Sequence, residues 1–170
     1  MKSNWEEILK DRLPLYGHRN WIVVADSAYP AQSRQGIETV ASGDEQTAVL
    51  ARVFHLLSEC SHIKPTVYTD KELSFVAEKD APGVTAYRGQ LEALLKGREA
   101  LALPHEEIIS KLDRVGVTFR VLLIKTTLAI PYTSVFLELE CGYWNSEAEK
   151  RLRAAMRSKA DRAAKRKARR

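Results

Sequence analysis

The sequence predicts a single α/β domain with one central sheet, mostly parallel or mixed, flanked by helices. Short apolar runs typical of strands alternate with stretches whose apolar residues recur every three or four positions, the spacing of amphipathic helices. At 170 residues the chain is long enough to bury one core. Its 45% hydrophobic and 29% charged residues are typical of a globular protein. A helical extension is predicted to follow the domain.

The first part of the chain predicts two helices and one strand. A helix begins near Trp5 and ends at Pro14, because apolar residues recur at helical spacing and proline then stops the pattern. Residues 22–25 have the length and β-branched content of a buried strand. Residues 30–43 are predicted to form a loop because serine and glycine interrupt them. A helix then buries the apolar residues between 49 and 60.

The second part of the chain predicts further strands and helices in alternation. Short β-branched pieces lie between residues 64 and 76, and a helix is predicted over 86–96. Pro104 opens the next helix, since proline is favoured in a first helical turn. Apolar residues then predict strands over 117–125 and 132–141. These elements complete the α/β pattern.

Positive charge is concentrated at the end of the sequence. The net charge is +5, but residues 151–170 carry ten Lys or Arg and one Asp, a net +9 that leaves −4 for the remainder. The composition of residues 146–170, without Gly or Pro, favours helix. We therefore predict a domain over 1–145 and a basic helical extension over 146–170. The extension has charge for phosphate contacts but no aromatic residues for base stacking, so a nucleic-acid partner is not favoured.

Several classes of function find no support in the sequence. No apolar run approaches the ~18 residues that cross a bilayer, and the N-terminus lacks the apolar core of a secretion signal. We expect a cytoplasmic location and no membrane partner. Cys60 and Cys141 stand far apart and are interpreted as reduced packing thiols. Glycine-rich phosphate loops and zinc-binding motifs are absent, so we expect neither metal nor other cofactor.

A histidine and a carboxylate flank the first predicted strand. His18 precedes it in a polar loop, and Asp26 follows it at a position where α/β sheets often bind ligands. A histidine transfers protons near neutral pH, and a carboxylate accepts hydrogen bonds from hydroxyl groups. From these residues alone, His18 as a surface side chain and Asp26 as a loop cap remain alternatives. Tyr132 follows Pro131 at the last strand, where packing is the alternative role.

These motifs resemble the ribose pyranase and fucose mutarotase family of sugar-ring enzymes. The shared features are a Gly-His near the N-terminus, an Asp eight residues after the His, and a nearby proline, here Pro30. Residues 29–33, Tyr-Pro-Ala-Gln-Ser, are similar to the Phe-Pro-Ala-His-Ser of the fucose branch. Residues 132–134, Tyr-Thr-Ser, occupy the place of a Tyr-x-Asn that leads into an apolar strand. The agreement in order and spacing extends from about residue 3 to 143.

The resemblance implies an isomerase that opens and recloses the ring of a free monosaccharide without a cofactor. It implies that His18 gives or takes the proton at the ring, and that Asp26 and Tyr132 complete the catalytic set while binding the sugar. His105 is the nearest match to a further sugar-binding residue of the family, and Ser134 would contact the sugar where the family has asparagine. The family's ring-shaped pentamers and decamers imply a homo-oligomer.

The spacing of His18 and Asp26 predicts that the site is shared between subunits. At ~3.3 Å per residue, eight extended residues cover about 26 Å, too far for both side chains of one protomer to grip one monosaccharide. His18 of one subunit is therefore expected to meet Asp26 and Tyr132 of its neighbour.

The chain departs from the family at Ser134 and in the extension over 146–170. Serine offers one hydroxyl where asparagine offers a fixed donor and acceptor. A relative that binds sugar without catalysis is therefore a second hypothesis. An interaction module whose basic extension contacts nucleic acid is a third.

Overall fold

The computed structural model describes residues 4–167, which form five α-helices and a six-stranded sheet. The helices are α1 (Trp5–Arg12), α2 (Gln46–Ser58), α3 (Val84–Leu95), α4 (His105–Thr118) and α5 (Ser146–Lys167). The strands are β1 (Trp21–Ala25), β2 (Ile37–Ala41), β3 (Ile63–Asp70), β4 (Ala100–Leu103), β5 (Val121–Lys125) and β6 (Val135–Cys141). Short 3₁₀ turns occupy Leu13–Leu15 and Lys71–Phe75.

The sheet is mixed, with strand order β2-β5-β1-β6-β3-β4. β1 pairs with β5 in parallel, as do β2 with β5 and β3 with β4. β6 is antiparallel to both of its neighbours, β1 and β3. The carboxyl ends of the other five strands and the amino end of β6 therefore meet along one side of the sheet, here called the carboxyl rim. The predicted α/β class with a mixed, helix-flanked sheet and a C-terminal helix is confirmed.

Apolar side chains cover both faces of the sheet. In β1, Ile22 and Val24 belong to the cluster that packs with α1, α2 and α3. Trp21 and Val23 face the other way, toward Ile108 of α4. All five β1 residues are buried, as expected for a central strand covered on both faces by helices. Asp26, the next residue, is thus held against a rigid core element.

β2 corrects the prediction that residues 30–43 form a loop. Ile37–Ala41 pair with Val121–Lys125 along the whole of β5. The strand was missed because its side chains are mostly half-buried and its apolar pattern is short. Gly36 brings this segment against α4, since a Cβ there would lie 2.2 Å from the Gly116 carbonyl oxygen.

One further strand and two boundaries also differ from the sequence predictions. β4 was not predicted, because a four-residue edge strand with mostly exposed side chains leaves little periodic signal. Residues 117 and 118 end α4 instead of beginning β5. Residues 132–134 precede β6 as a loop at the carboxyl rim and are not part of the strand.

α5 extends from the domain with side chains that are mostly exposed between residues 146 and 160. None of the helices in the described part of the chain has the length and apolar character needed to cross a bilayer. The last residues of the predicted basic end, 168–170, lie outside the described residues. The division into a domain over 1–145 and an extension over 146–170 stays a prediction.

Candidate functional site at the carboxyl rim

The chain crosses over the end of β1 between β5 and β6. These strands are consecutive in sequence but lie on opposite sides of β1, so residues 126–134 must pass the carboxyl rim. This crossing brings Tyr132 and Ser134 to Asp26, which follows β1 directly. The site is therefore a consequence of the strand order.

Hydrogen bonds fix both carboxylate oxygens of Asp26. The Ser134 hydroxyl donates to Oδ2 at 2.9 Å, and the backbone N–H of Ala28 donates to Oδ1 at 2.9 Å. The Asp26 N–H in turn donates to Ser134 Oγ at 3.3 Å. Because a carboxylate has about four acceptor positions, Asp26 keeps acceptor capacity for a ligand.

A buried polar network holds the crossing loop in place. The side-chain amide of Gln46 donates to the Thr133 carbonyl and to the Tyr87 hydroxyl, and Tyr87 donates to the same carbonyl at 2.8 Å. Thr126 completes the network by donating to Gln46 Oε1 at 3.1 Å. Burial raises the pKa of Tyr87 far above its usual value, so the phenol remains a donor. The network anchors the residue between Tyr132 and Ser134.

Tyr132 has a backbone conformation that is uncommon for its residue type. Its φ is +59°, in the left-handed region, which costs a non-glycine residue about 1–2 kcal/mol. The ring packs edge-on against the His105 imidazole, with centroids 5.5 Å apart and planes at 82°. The side chain is 40% exposed and lines a pocket. Strain of this kind is concentrated at functional sites.

His105 is the first residue of α4 and is held at three points. Its backbone N–H donates to the Glu72 carboxylate at 3.0 Å. This carboxylate lies at the N-terminus of α4, where a negative charge is favourable. Its Nδ1 lies 3.1 Å from Oδ1 of Asp70, and its ring contacts the ring of Tyr132. Its other ring nitrogen, Nε2, makes no hydrogen bond among the described residues, and His105 lines a pocket.

Asp70 ends β3 with its side chain fully buried. Burial raises the pKa of this carboxyl to about 6, and the neighbouring Glu72 and Asp26 carboxylates also raise it, while His105 opposes the change. Oδ1 faces His105, but buried Oδ2 has no hydrogen-bond partner among the described residues. An ionised carboxylate in this setting is costly to the fold.

A pocket of about 330 Å³ opens between these side chains. Its polar lining includes Asp26, Gln32, His105 and Tyr132, and Tyr29 forms part of its buried wall. Burial raises the pKa of Tyr29 far above its usual value, and nearby carboxylates add to the effect. A volume at the lower end of the range of about 300–1,000 Å³ suits a small ligand.

The structure brings together three of the five predicted site residues. Asp26, His105 and Tyr132 line the pocket. Ser134 is 2% exposed and lies beneath Asp26, so it orients that carboxylate instead of facing the pocket. His18 is exposed in the turn before β1, at the opposite side of the sheet. Within one chain, His18 and Asp26 do not share a pocket.

Sequence reasoning missed Asp70, Glu72 and Tyr29. Asp70 directly follows the β-branched piece at 66–69, so it carried the strand-end signal that singled out Asp26. Glu72 gave no separate signal, because its role depends on the approach of α4. Tyr29 lay within the quoted Tyr-Pro-Ala-Gln-Ser motif without an assigned role.

Metal-binding geometry is not found at this site or elsewhere within residues 4–167. No group of three or more His, Cys, Asp or Glu side chains in that range is arranged to hold an ion. Both cysteines are free thiols.

The fold of the chain is similar to that of several solved structures. Neither a family model nor a curated protein sequence matches it. Its fold is that of solved sugar-complexed proteins of the ribose pyranase and fucose mutarotase type, as the sequence resemblance predicted.

Three similar structures are the following. RbsD from Bacillus subtilis, complexed with D-ribose, is 21% identical at a TM-score of 0.55, covering 81% of this chain and 93% of that one. The fucose mutarotase from Streptococcus pneumoniae, in complex with L-fucose, is 20% identical at 0.51, covering 79% and 91%. FucU from Bifidobacterium longum is 16% identical at 0.53, covering 79% and 92%. At these identities the similarity establishes the shared fold.

Proposed function

We propose that this protein is a cofactor-free mutarotase or pyranase that interconverts the anomers or ring forms of a free monosaccharide. The observation that carries the proposal is the pocket in which Asp26, His105 and Tyr132 converge. The shared fold supports it, because two similar structures were solved with D-ribose and with L-fucose. A ribose-like or fucose-like sugar is therefore the proposed substrate.

The reaction needs two proton-transfer groups and no change in oxidation state. A base removes the proton from the anomeric hydroxyl while an acid protonates the ring oxygen, and the bond between the anomeric carbon and the ring oxygen breaks. The open-chain aldehyde then recloses on its other face or through another hydroxyl, and both protons return. We assign hydrogen bonding of sugar hydroxyls to Asp26 and enclosure of the ring to Tyr132. Positioned acid–base groups contribute about 10²–10⁴-fold to such reactions.

We further propose that His18 reaches the pocket from a second subunit. His18 is exposed, and the full length of β1 separates it from Asp26 in its own chain. A head-to-tail interface that closes into a ring would place the His18 turn of one copy at the carboxyl rim of the next. Light scattering that finds only monomers at assay concentration would exclude this arrangement.

Saturation-transfer NMR on D-ribose and L-fucose tests the activity. The wild-type protein is expected to accelerate exchange between sugar forms, and His18→Ala and Asp26→Asn are each expected to reduce the acceleration at least tenfold. His55→Ala is the matched control, because His55 is exposed on α2 and pairs only with Glu59 among the described residues. If the protein accelerates the exchange of none of the monosaccharides tested, the enzyme hypothesis is refuted.

Mixed oligomers test whether the site is shared. His18→Ala and Asp26→Asn subunits, unfolded together and refolded at equal amounts, can form sites with both native side chains if each site uses two chains. Random assembly then restores about a quarter of the wild-type activity. A site contained in one chain restores none.

One observation favours a second candidate, a sugar-binding protein without catalysis. The short Ser134 side chain is buried and donates its hydrogen bond to Asp26. The pocket therefore lacks the asparagine amide that the ribose pyranase and fucose mutarotase family has at the position of Ser134. Saturation transfer from protein to sugar without accelerated exchange would support this candidate.

A further inference from the structure

We propose that His105 is the second proton-transfer group of the pocket, and that buried Asp70 is the positioning residue that keeps its Nε2 free for the sugar. This inference rests on the proposed function and deepens it. It gives the reaction two imidazoles, one from His105 and one from His18 of a neighbouring subunit.

Three contacts restrain the His105 side chain. Nδ1 faces Asp70 at 3.1 Å, Tyr132 packs on the ring at 82°, and Glu72 holds the backbone N–H. A side chain with contacts at its backbone, at one ring nitrogen and against the Tyr132 ring has little rotational freedom. Such restraint is what a proton-transfer group needs, because misplacement by about 1 Å costs up to 10²-fold in rate.

Asp70 also favours one tautomer of His105. Ionised Asp70 accepts hydrogen bonds and cannot donate them, so it favours the His105 tautomer that carries its proton on Nδ1. The unprotonated Nε2 can then take a proton from a sugar hydroxyl and return it. The neighbouring Glu72 and Asp26 carboxylates raise the pKa of Asp70, and His105 lowers it.

The ionised form of Asp70 is destabilising to the fold. Its side chain is fully buried, and Oδ2 has no partner in the described part of the chain. A neutral side chain of similar shape would avoid the cost of burying a charge. Destabilising groups of this kind are concentrated at functional sites. The presence of a buried carboxylate at position 70 is therefore explained by the orientation of His105 and not by stability.

The direct test is ¹⁵N NMR of the full chain labelled at histidine, with His105 assigned through His105→Gln. In wild type, the neutral form of the ring is expected to carry its proton on Nδ1. In Asp70→Asn the population with the proton on Nε2 is expected to rise, because the amide can present its NH₂ group as readily as its oxygen. Asp80→Asn is the control, since Asp80 is exposed and does not line the pocket. A wild-type His105 with its proton on Nε2, or one unchanged by Asp70→Asn, would overturn the inference.

Sugar exchange kinetics supply the second readout. Asp70→Asn is expected to lower kcat about tenfold or more with little change in KM, as for other residues that orient a reacting side chain. Asp80→Asn, outside the pocket, is expected to change kcat by less than about twofold. Equal rates for Asp70→Asn and wild type would overturn the catalytic part.

The two proposals fail in different ways. If wild type exchanges no sugar, the proposed function and the catalytic role of His105 both fall, while the tautomer measurement still decides whether Asp70 positions the ring. If wild type exchanges sugar and the tautomer is insensitive to Asp70→Asn, the positioning role alone falls.

Discussion

Replacement of Asp70 by asparagine is expected to change the pH dependence of stability in a defined direction. The Asp70 carboxyl has a pKa of about 6 in the folded protein, against 3.8 as its ordinary value. The folded state therefore holds this proton more tightly than the unfolded state does. The resulting stabilisation is fully present below pH 3.8 and is lost as the pH rises through 6.

The size of the effect follows from the change in pKa. A difference of about 2 pKa units corresponds to about 3 kcal/mol over the full range. About half of this, about 1.4 kcal/mol, falls between pH 5 and pH 8. Asparagine does not titrate, so the stability of Asp70→Asn relative to wild type should rise by about that amount from pH 5 to pH 8. In the variant, a group of the side-chain amide would occupy the unpartnered position of Oδ2. This lowers the stability of the variant by the same amount at every pH, so the pH dependence is unaffected.

Urea denaturation at pH 5 and pH 8 measures this difference. Protein concentration must be held constant, since association of subunits adds to apparent stability. Asp80→Asn is the matched control, because Asp80 is exposed and should leave the wild-type pH dependence intact. If the stability of Asp70→Asn relative to wild type is constant with pH, or falls toward pH 8, the pKa of Asp70 is not raised in the folded protein.

Three further changes test the fold around the site. Gly36→Ala places a Cβ against the Gly116 carbonyl and should lower the free energy of unfolding in urea by about 1–3 kcal/mol. An unchanged denaturation midpoint would show that β2 can shift away from α4. Gln46→Ala leaves buried partners around Thr133 unsatisfied and should cost about 1–3 kcal/mol; a loss below about 0.5 kcal/mol would contradict the anchoring role. Removal of residues 146–170 should leave Tm unchanged, because most α5 side chains between 146 and 160 are exposed, and a fall of several degrees would make α5 part of the domain.

The sequence predicted the parts of the site that depend on local pattern. Asp26 was identifiable because a carboxylate at the end of an apolar run stands out. Tyr132 was identifiable beside Pro131, although its left-handed backbone was not. His105 came from the family resemblance, and the structure places it in the same pocket.

The parts that were missed depend on the order of strands. β6 follows β5 in sequence but pairs with β1 and β3, and nothing local to residues 126–134 reveals that crossing. Asp70 meets His105 across 35 residues of sequence, because β4 lies parallel to β3 and returns the chain to the same rim. Such contacts follow from topology, which the periodicity of a single sequence does not specify.

A crystal structure of the protein with a sugar that it exchanges would show directly whether the carboxyl rim is the active site. We expect one monosaccharide at the rim, with its hydroxyls on Asp26, its ring beside Tyr132, and a ring or anomeric oxygen within about 3 Å of His105 Nε2. We also expect His18 of a second copy on the opposite side of the sugar. A sugar bound away from Asp26, or one held at Asp26 with no imidazole in reach of its ring oxygen or anomeric hydroxyl, would exclude the proposed mechanism.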